Sequence, residues 1–272
     1  MTHPVFSIEA LNDATESENR MHSDDVAARY GFSGALVSGV NVFGYMTQPL
    51  VAEFGEAFLS HRGFEVRFLL PAYEGDRVSI ETRQNNQQLA TSAYNQEGVL
   101  LATLNTWQQE TSSEQSALHT RRLADEHANH YNEGARPLIS WEAIEIDCSA
   151  PTWHWQPTRE ENTLHVNAQR DTADCYADAN PRALIHPYYL LDTCNKALMR
   201  LYVLPAWIHV GTRGTIHNAL HVGDAVRVDC RPIDKWERKG HQFIRLTIAM
   251  FVGDTLAFEA EHTAIFRIAE KH

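Results

Sequence analysis

The chain has 272 residues, 43% of them hydrophobic, and a formal net charge of −12. That charge argues against sequence-independent binding to nucleic-acid phosphates, and no run approaches the roughly 18 apolar residues of a membrane span. Met1–Ser7 has no signal-peptide pattern, and Cys148, Cys175, Cys194 and Cys230 show neither metal-ligand nor disulfide spacing. The expectation is a soluble cytoplasmic protein with free thiols, no metal, and no membrane or nucleic-acid partner.

In chain order, Val5–Ala10 alternates as a short strand, and residues 11–21 are polar and loop-like, delivering His22. Ser23, Asp24 and Asp25 can cap a short helix over Val26–Tyr30, which Gly31 ends. Gly39–Phe54 has apolar residues at 40, 42, 43, 46, 50, 51 and 54, helical spacing that becomes apolar nearly all round near its start. Such a helix must be wrapped rather than laid on a surface; Pro49 inside it marks a point for a kink. Strands follow at Phe64–Leu70, Arg77–Arg83, Leu89–Tyr94 and Val99–Trp107, with turns at Glu74–Asp76 and Asn95–Gly98. Short turns between neighbouring strands make an antiparallel sheet, so the unit is α+β.

Residues 108–138 are polar and read as an interdomain linker, partly helical around 116–130. Its His119, His127 and His130 lack flanking carboxylates or cysteines and read as solvated surface rather than metal ligands. The second part repeats the order: strands at Trp141–Asp147 and near Thr163–Asn167, a helix over Pro187–Tyr202, and strands near 207–218, 224–232, 242–252 and 255–267. Trp153 and Trp155 alternate as on one strand face and read as packing residues.

The two parts share punctuation. Ala35–Met46 returns 148 residues later as Ala183–Cys194, and at that offset His61 and Gly63 fall on His209 and Gly211, Gly75-Asp76 on Gly223-Asp224, and Asn19 on Asn167. Glycines and turn residues in one order fix backbone geometry more firmly than overall identity does. Two copies of one unit follow: domain 1–109, linker 110–138 and domain 139–272. The second copy has extra residues in the hairpin around Lys235–Gly240.

The run Asn19-Arg20-Met21-His22-Ser23-Asp24, with Tyr30-Gly31-Phe32-Ser33-Gly34, Val37-Ser38-Gly39 and Val66–Pro71 before Gly75-Asp76, resembles the hydratase motif of MaoC-like proteins. The resemblance covers about 17–80 specifically and implies a hot-dog fold, in which a sheet wraps one long helix. Two fused copies imply a double hot-dog, as in R-specific enoyl-CoA hydratases and dehydratases. The family motif has an aspartate five residues before its histidine; Ser17 stands there, with Glu16 and Glu18 as neighbouring carboxylates. The family also tends to carry a histidine before the helix glycine, where this chain has Ser38 and the second copy His186. Arg170 occupies the second copy's counterpart of His22, so a hydratase-like site belongs to the N-terminal unit.

The resemblance implies an acyl-thioester substrate, with coenzyme A or acyl carrier protein as part of that substrate and no separate cofactor. Hydration needs a proton shuttle, and a histidine titrating near neutrality can supply one. His22 takes that role, with Glu18 to activate water or orient the ring, Asn19 to hold the water or the loop, and Ser17 in the aspartate's place. The Gly39 N–H, at the start of a buried helix, suits a developing oxyanion, with Ser38 and Asn41 beside the same ligand. Each has a plain reading too: His22 braces the helix at Ser23, Asn19 shapes a turn, and Ser38-Gly39 is a strand-to-helix corner. Two rival functions stay open: a hot-dog thioesterase using Asp192 with Asn195, and a non-catalytic acyl-CoA or small-ligand binding protein. Arg170 and Arg213 are weak candidates for coenzyme A phosphates. Hot-dog units pair by their sheets; an internal pair satisfies this, and a further homodimer is compatible with it.

Overall fold

The computed structural model describes residues 3–86, 88–109, 136–148, 152–177 and 179–269. In the first unit, β1 (Phe6–Glu9) leads to a 3-10 turn at Arg20–His22, then α1 (Asp24–Arg29) and the long α2 (Gly39–Phe54). Four strands follow: β2 (Arg62–Phe68), β3 (Arg77–Asn85), β4 (Gln88–Tyr94) and β5 (Leu100–Gln108). The second unit has β6 (Trp153–Trp155), α3 (Arg159–Ala168), α4 (Tyr188–Leu201), β7 (Ile208–Ile216), β8 (Val226–Arg238), β9 (His241–Val252) and β10 (Thr255–Arg267).

The strands make one sheet in the order β1-β3-β4-β5-β2-β7-β10-β9-β8-β6. The order is symmetric about its centre. Each half begins at a short edge strand and ends at the strand after its long helix, and the two halves join where β2 pairs antiparallel with β7. The repeated Gly75 and Gly223 both have positive φ, 79° and 90°, so the punctuation shared by the two copies marks one turn made twice.

Every residue of α2 from Val40 to Gln48 is buried. The helix is apolar on most sides because the sheet curls round it and α4 lies along it. Pro49 is accommodated without ending α2, which runs on to Phe54. Phe64 of β2 bridges the units: its ring centroid lies 5.6 Å from Phe43 on α2 and 6.1 Å from Phe258 on β10. Among the described residues, no helix is long and apolar enough to cross a membrane.

Two expected strands are absent. Trp141–Asp147 forms turns, because Lys235 Nζ takes the carbonyls of Trp141 and Ile144 at 2.5 and 2.9 Å and holds the segment against β8. Thr163–Asn167 lies inside α3, whose start is fixed by a reciprocal cap between Thr158 and Glu161. The linker histidines His119, His127 and His130, the helix expected over 116–130 and most of linker 110–138 lie outside the described residues. The longer second hairpin is present: β8 and β9 have 13 and 12 residues, against 9 and 7 in β3 and β4.

Phe64→Ala removes the ring that both units pack against. Its expected cost is about 3–5 kcal/mol, measured by urea denaturation; a loss below about 1 kcal/mol would show that the units do not share this core.

Candidate active site

Asn19 is buried and spans the two units. Its Oδ1 accepts the Met21 and Trp207 N–H groups at 3.3 and 3.2 Å, and its Nδ2 donates to the Trp207 carbonyl at 3.0 Å. The Arg20 N–H bonds the Pro205 carbonyl at 3.0 Å. The loop carrying His22 is thus tied to the segment entering β7. Buried Met21 anchors it further, and Asn12 Nδ2 donates to the His22 carbonyl at 3.2 Å.

These bonds set the proton positions on His22. Nδ1 lies 2.7 Å from the Leu36 carbonyl, which only accepts, so Nδ1 carries the hydrogen in the neutral ring. Nε2 then presents a lone pair. Asn19 Nδ2 approaches it at 3.4 Å, a long contact, while making its shorter bond to Trp207. Burial lowers the His22 pKa below its ordinary value, opposed by the Leu36 bond and by the Asp13 charge. A neutral imidazole with a weakly engaged lone pair is the form a general base requires.

His22 and the start of α2 line one hollow of about 260 Å³. From the first unit it is lined by His22, Asn19, Ser38, Gly39, Val42 and Phe68, and from the second by Asn195, Trp207, His209 and His241. The walls are mostly apolar, and exposed Leu69 and Leu70 stand at the rim. Gly39 packs closely against Phe68: a Cβ there would lie 3.3 Å from three atoms of its ring, which would have to give by a few tenths of an ångström. The Asn41 and Val42 N–H groups return to the Ser38 carbonyl.

The predicted residues divide. His22, Asn19, Ser38 and Gly39 share the hollow. Glu18 does not orient His22: both its oxygens bind Arg136, at 3.0 and 3.2 Å, on the surface. Ser17 Oγ accepts the Asn19 N–H at 3.2 Å and shapes the turn. Asn41 is fully buried and holds the loop instead of lining the hollow, donating to the Leu11 carbonyl at 3.1 Å and to Asp13 Oδ1 at 2.7 Å. Asp192 is ion-paired with Lys196 at 2.7 Å, whereas Asn195, one turn on, lines the hollow. Arg213 lies over the Trp107 ring.

The sequence reading missed Asp13, Trp207 and His209. Asp13 is an exposed residue whose carboxylate is tucked against Asn41; that burial raises its pKa, while the Asn41 bond lowers it. It has no motif spacing to betray it. His209 lines the hollow, edge-on to Phe68 with centroids 4.8 Å apart, and its Nε2 is 2.8 Å from Thr212 Oγ1, which is 3.0 Å from His262 Nδ1. The signal available was the paired His61 and His209 of the repeat.

No protein-family model and no curated protein matches this sequence. Solved structures do match its fold. A protein assigned to the MaoC domain dehydratases, from Chloroflexus aurantiacus J-10-fl, superposes with TM-score 0.63 at 13% identity, covering 98% of this chain and 94% of that one. A MaoC-like dehydratase gives 0.60 at 11% identity, over 96% and 97% of the two chains. The Mycobacterium tuberculosis protein RV0216, described as having a double hotdog fold, gives 0.56 at 10%, over 96% and 95%. This chain is a double hot-dog.

The second twin of the double hot-dog has its counterpart hollow filled. His186, matching Ser38, has no exposed surface, and Tyr176 and His165 pack against its ring at centroid distances of 5.3 and 5.0 Å. Its Nδ1 accepts the Tyr188 N–H at 3.2 Å, and its Nε2 lies 3.4 Å from Asp171. Arg170, matching His22, sits in the left-handed region at φ 53°.

Two predictions follow from these histidines and from Asn19. Burial holds His165 down at about 2 and His262 at about 3, with the neighbouring His186 also lowering His165. Below about pH 6.5 the unfolded chain binds protons that the folded one refuses, so stability falls as pH drops. His262→Gln should make that fall shallower by ~1.4 kcal/mol per pH unit between pH 6 and 5, read from denaturation midpoints; an unchanged slope contradicts a neutral His262. Asn19→Asp opposes a carboxylate to the Trp207 carbonyl and should cost about 1–3 kcal/mol; wild-type stability would mean that Asn19 does not join the units.

Proposed function

We propose that this double hot-dog is an acyl-thioester hydratase or dehydratase with His22 as its proton shuttle. The observation that carries the reading is the convergence of His22, whose Nδ1 is taken by the Leu36 carbonyl, and the N-terminus of α2 on one mostly apolar hollow between the twins. An acyl chain suits the apolar walls. The thioester oxygen would take the Gly39 N–H at the positive end of a sixteen-residue helix, where charge develops as the α-carbon loses or gains its proton. In hydration, Nε2 takes a proton from water as the oxygen adds to the β-carbon, and the imidazolium returns a proton to the α-carbon. Asn19 holds the ring plane and the water's side of it, and Leu36 stabilises the imidazolium through Nδ1–H. Fold likeness to MaoC-like dehydratases supports the reading without assigning it.

One observation favours a second reading. The ring nitrogens of His22 face Leu36 and Asn19 and, among the described residues, neither faces a carboxylate, so the acid that the family motif pairs with its histidine has no counterpart in contact there. Asp13 is the charge acting on the ring, from the loop that Asn41 grips. A chain that had kept the hollow and lost the chemistry would bind acyl thioesters unchanged. Hydrolysis through Asp192 has less support, because Lys196 holds that carboxylate and it does not line the hollow.

Crotonyl-CoA and longer enoyl-CoAs, followed by loss of the conjugated absorbance, separate the readings. The expected result is turnover that falls about 100-fold or more in His22→Ala and is unchanged in Glu18→Gln. Tight binding without turnover in the wild-type protein selects the binding-protein reading.

A further inference from the structure

The β8–β9 hairpin is longer than its twin, and the added length is basic. Four more residues in β8 than in β3 extend the hairpin by about 13 Å at strand rise. Its tip reads Arg238-Lys239-Gly240-His241, all exposed except half-buried His241. Arg238 faces His241 across the hairpin, and exposed Arg267 pairs with Gln242 on the next strand. The matching tip between β3 and β4 carries Gln84, Asn85, Asn86 and Gln88, with no charge. The fold therefore does not demand cations at this turn; one twin has them and the other does not.

The basic tip also stands beside the hollow. His241 lines it, and the Ala269 N–H donates to His241 Nδ1 at 3.0 Å, so the neutral ring carries its hydrogen on Nε2. The hairpin is stiffened just behind its tip: Trp236 stacks on Phe243 at 5.1 Å and 4°, and the Arg245 guanidinium covers Trp236 at 5.0 Å. Glu237 is the acid in the tip, and strand alternation turns it to the face opposite Arg238. Arg245 faces Glu261 at 3.8 Å, and Arg267, paired with Gln242, shares the face of Glu237, so the cations of the tip beside His241 are Arg238 on its strand and Lys239 in the turn. A local cationic turn in a chain of net charge −12 is a place where a small polyanion gains and a large acidic partner is repelled by the remainder of the surface.

We propose that the β8–β9 hairpin is the docking site for the phosphate-bearing nucleotide end of the substrate's carrier, with Arg238 and Lys239 on the phosphates and His241 at the threshold of the hollow. The assignment rests on the acyl-thioester reading and narrows it: the thioester arrives on a nucleotide such as coenzyme A, not on an acidic carrier protein. Arg and Lys suit phosphate as fork and point charge respectively, and exposed contacts of this kind weaken with salt.

Coenzyme A itself is the probe, titrated calorimetrically into the full chain at low and at physiological salt. The wild-type protein is expected to bind it, more weakly as salt rises. The double variant Arg238→Glu/Lys239→Glu, at exposed positions that leave the fold intact, should bind at least tenfold more weakly. No hydration by the wild-type protein, with coenzyme A still bound in a charge-dependent way, would sink the catalytic reading and leave this site standing. In turnover the double variant should raise KM with kcat unchanged. Equal coenzyme A affinity in wild type and double variant overturns the proposal. So does absence of coenzyme A binding, including the case in which an acidic carrier protein binds instead.

Discussion

One side-chain amide holds the candidate site together. Asn19 belongs to the first unit, yet its oxygen and nitrogen both bond the backbone of Trp207 in the second. A buried amide with partners on both ends is fixed in orientation and costly to displace. Everything at the site inherits that fixity. The His22 ring lies three residues on, its donor side anchored by Leu36 and its acceptor side beside the same amide. The hollow exists because the loop is drawn toward β7 while α2 begins behind it. The seam between the twins is therefore part of the site, and the seam's core, centred on Phe64, is its foundation.

The twins have diverged in opposite directions from one plan. In the first, a small residue, Ser38, precedes the long helix, and space remains at its N-terminus. In the second, His186 takes that position, and Tyr176 and His165 close round it. The hairpins diverge in the same sense: the second unit's long basic β8–β9 turn stands over the open hollow, while the first unit's neutral β3–β4 turn does not. A repeat freed from doing the same job twice can keep an opening in one copy and supply its wall from the other. Both contribute here, since Asn195, Trp207, His209 and His241 come from the copy without the motif.

The fold was legible because its determinants are local or periodic. The apolar run Gly39–Phe54 could only be a wrapped helix, and turn glycines spaced identically in both halves announced a repeat; both readings match the structure. The errors came where a non-local partner decided. Lys235 pulls Trp141–Asp147 out of strand geometry from 91 and 94 residues away. Thr163–Asn167 alternates enough to look like a strand, but the cap at Thr158 had already begun a helix. Of the residues singled out, His22 and Asn19 on one loop and Gly39 at the start of α2 line a common hollow. Glu18 was misassigned because sequence proximity to His22 says nothing of the direction in which a carboxylate points, and Arg136 lies 118 residues on. Asp13, Trp207 and His209 reach the site through tertiary structure alone.

The central claim is spatial, and a crystal structure with a saturated acyl-CoA analogue, which keeps the thioester carbonyl but has no double bond to hydrate, tests it most directly. The account predicts the carbonyl oxygen within hydrogen-bonding distance of the Gly39 amide, the β-carbon facing His22 Nε2 across room for one water, and the chain between Val42, Phe68 and Trp207. An analogue bound elsewhere, or one whose carbonyl turns away from the start of α2 with His22 out of reach, would contradict it.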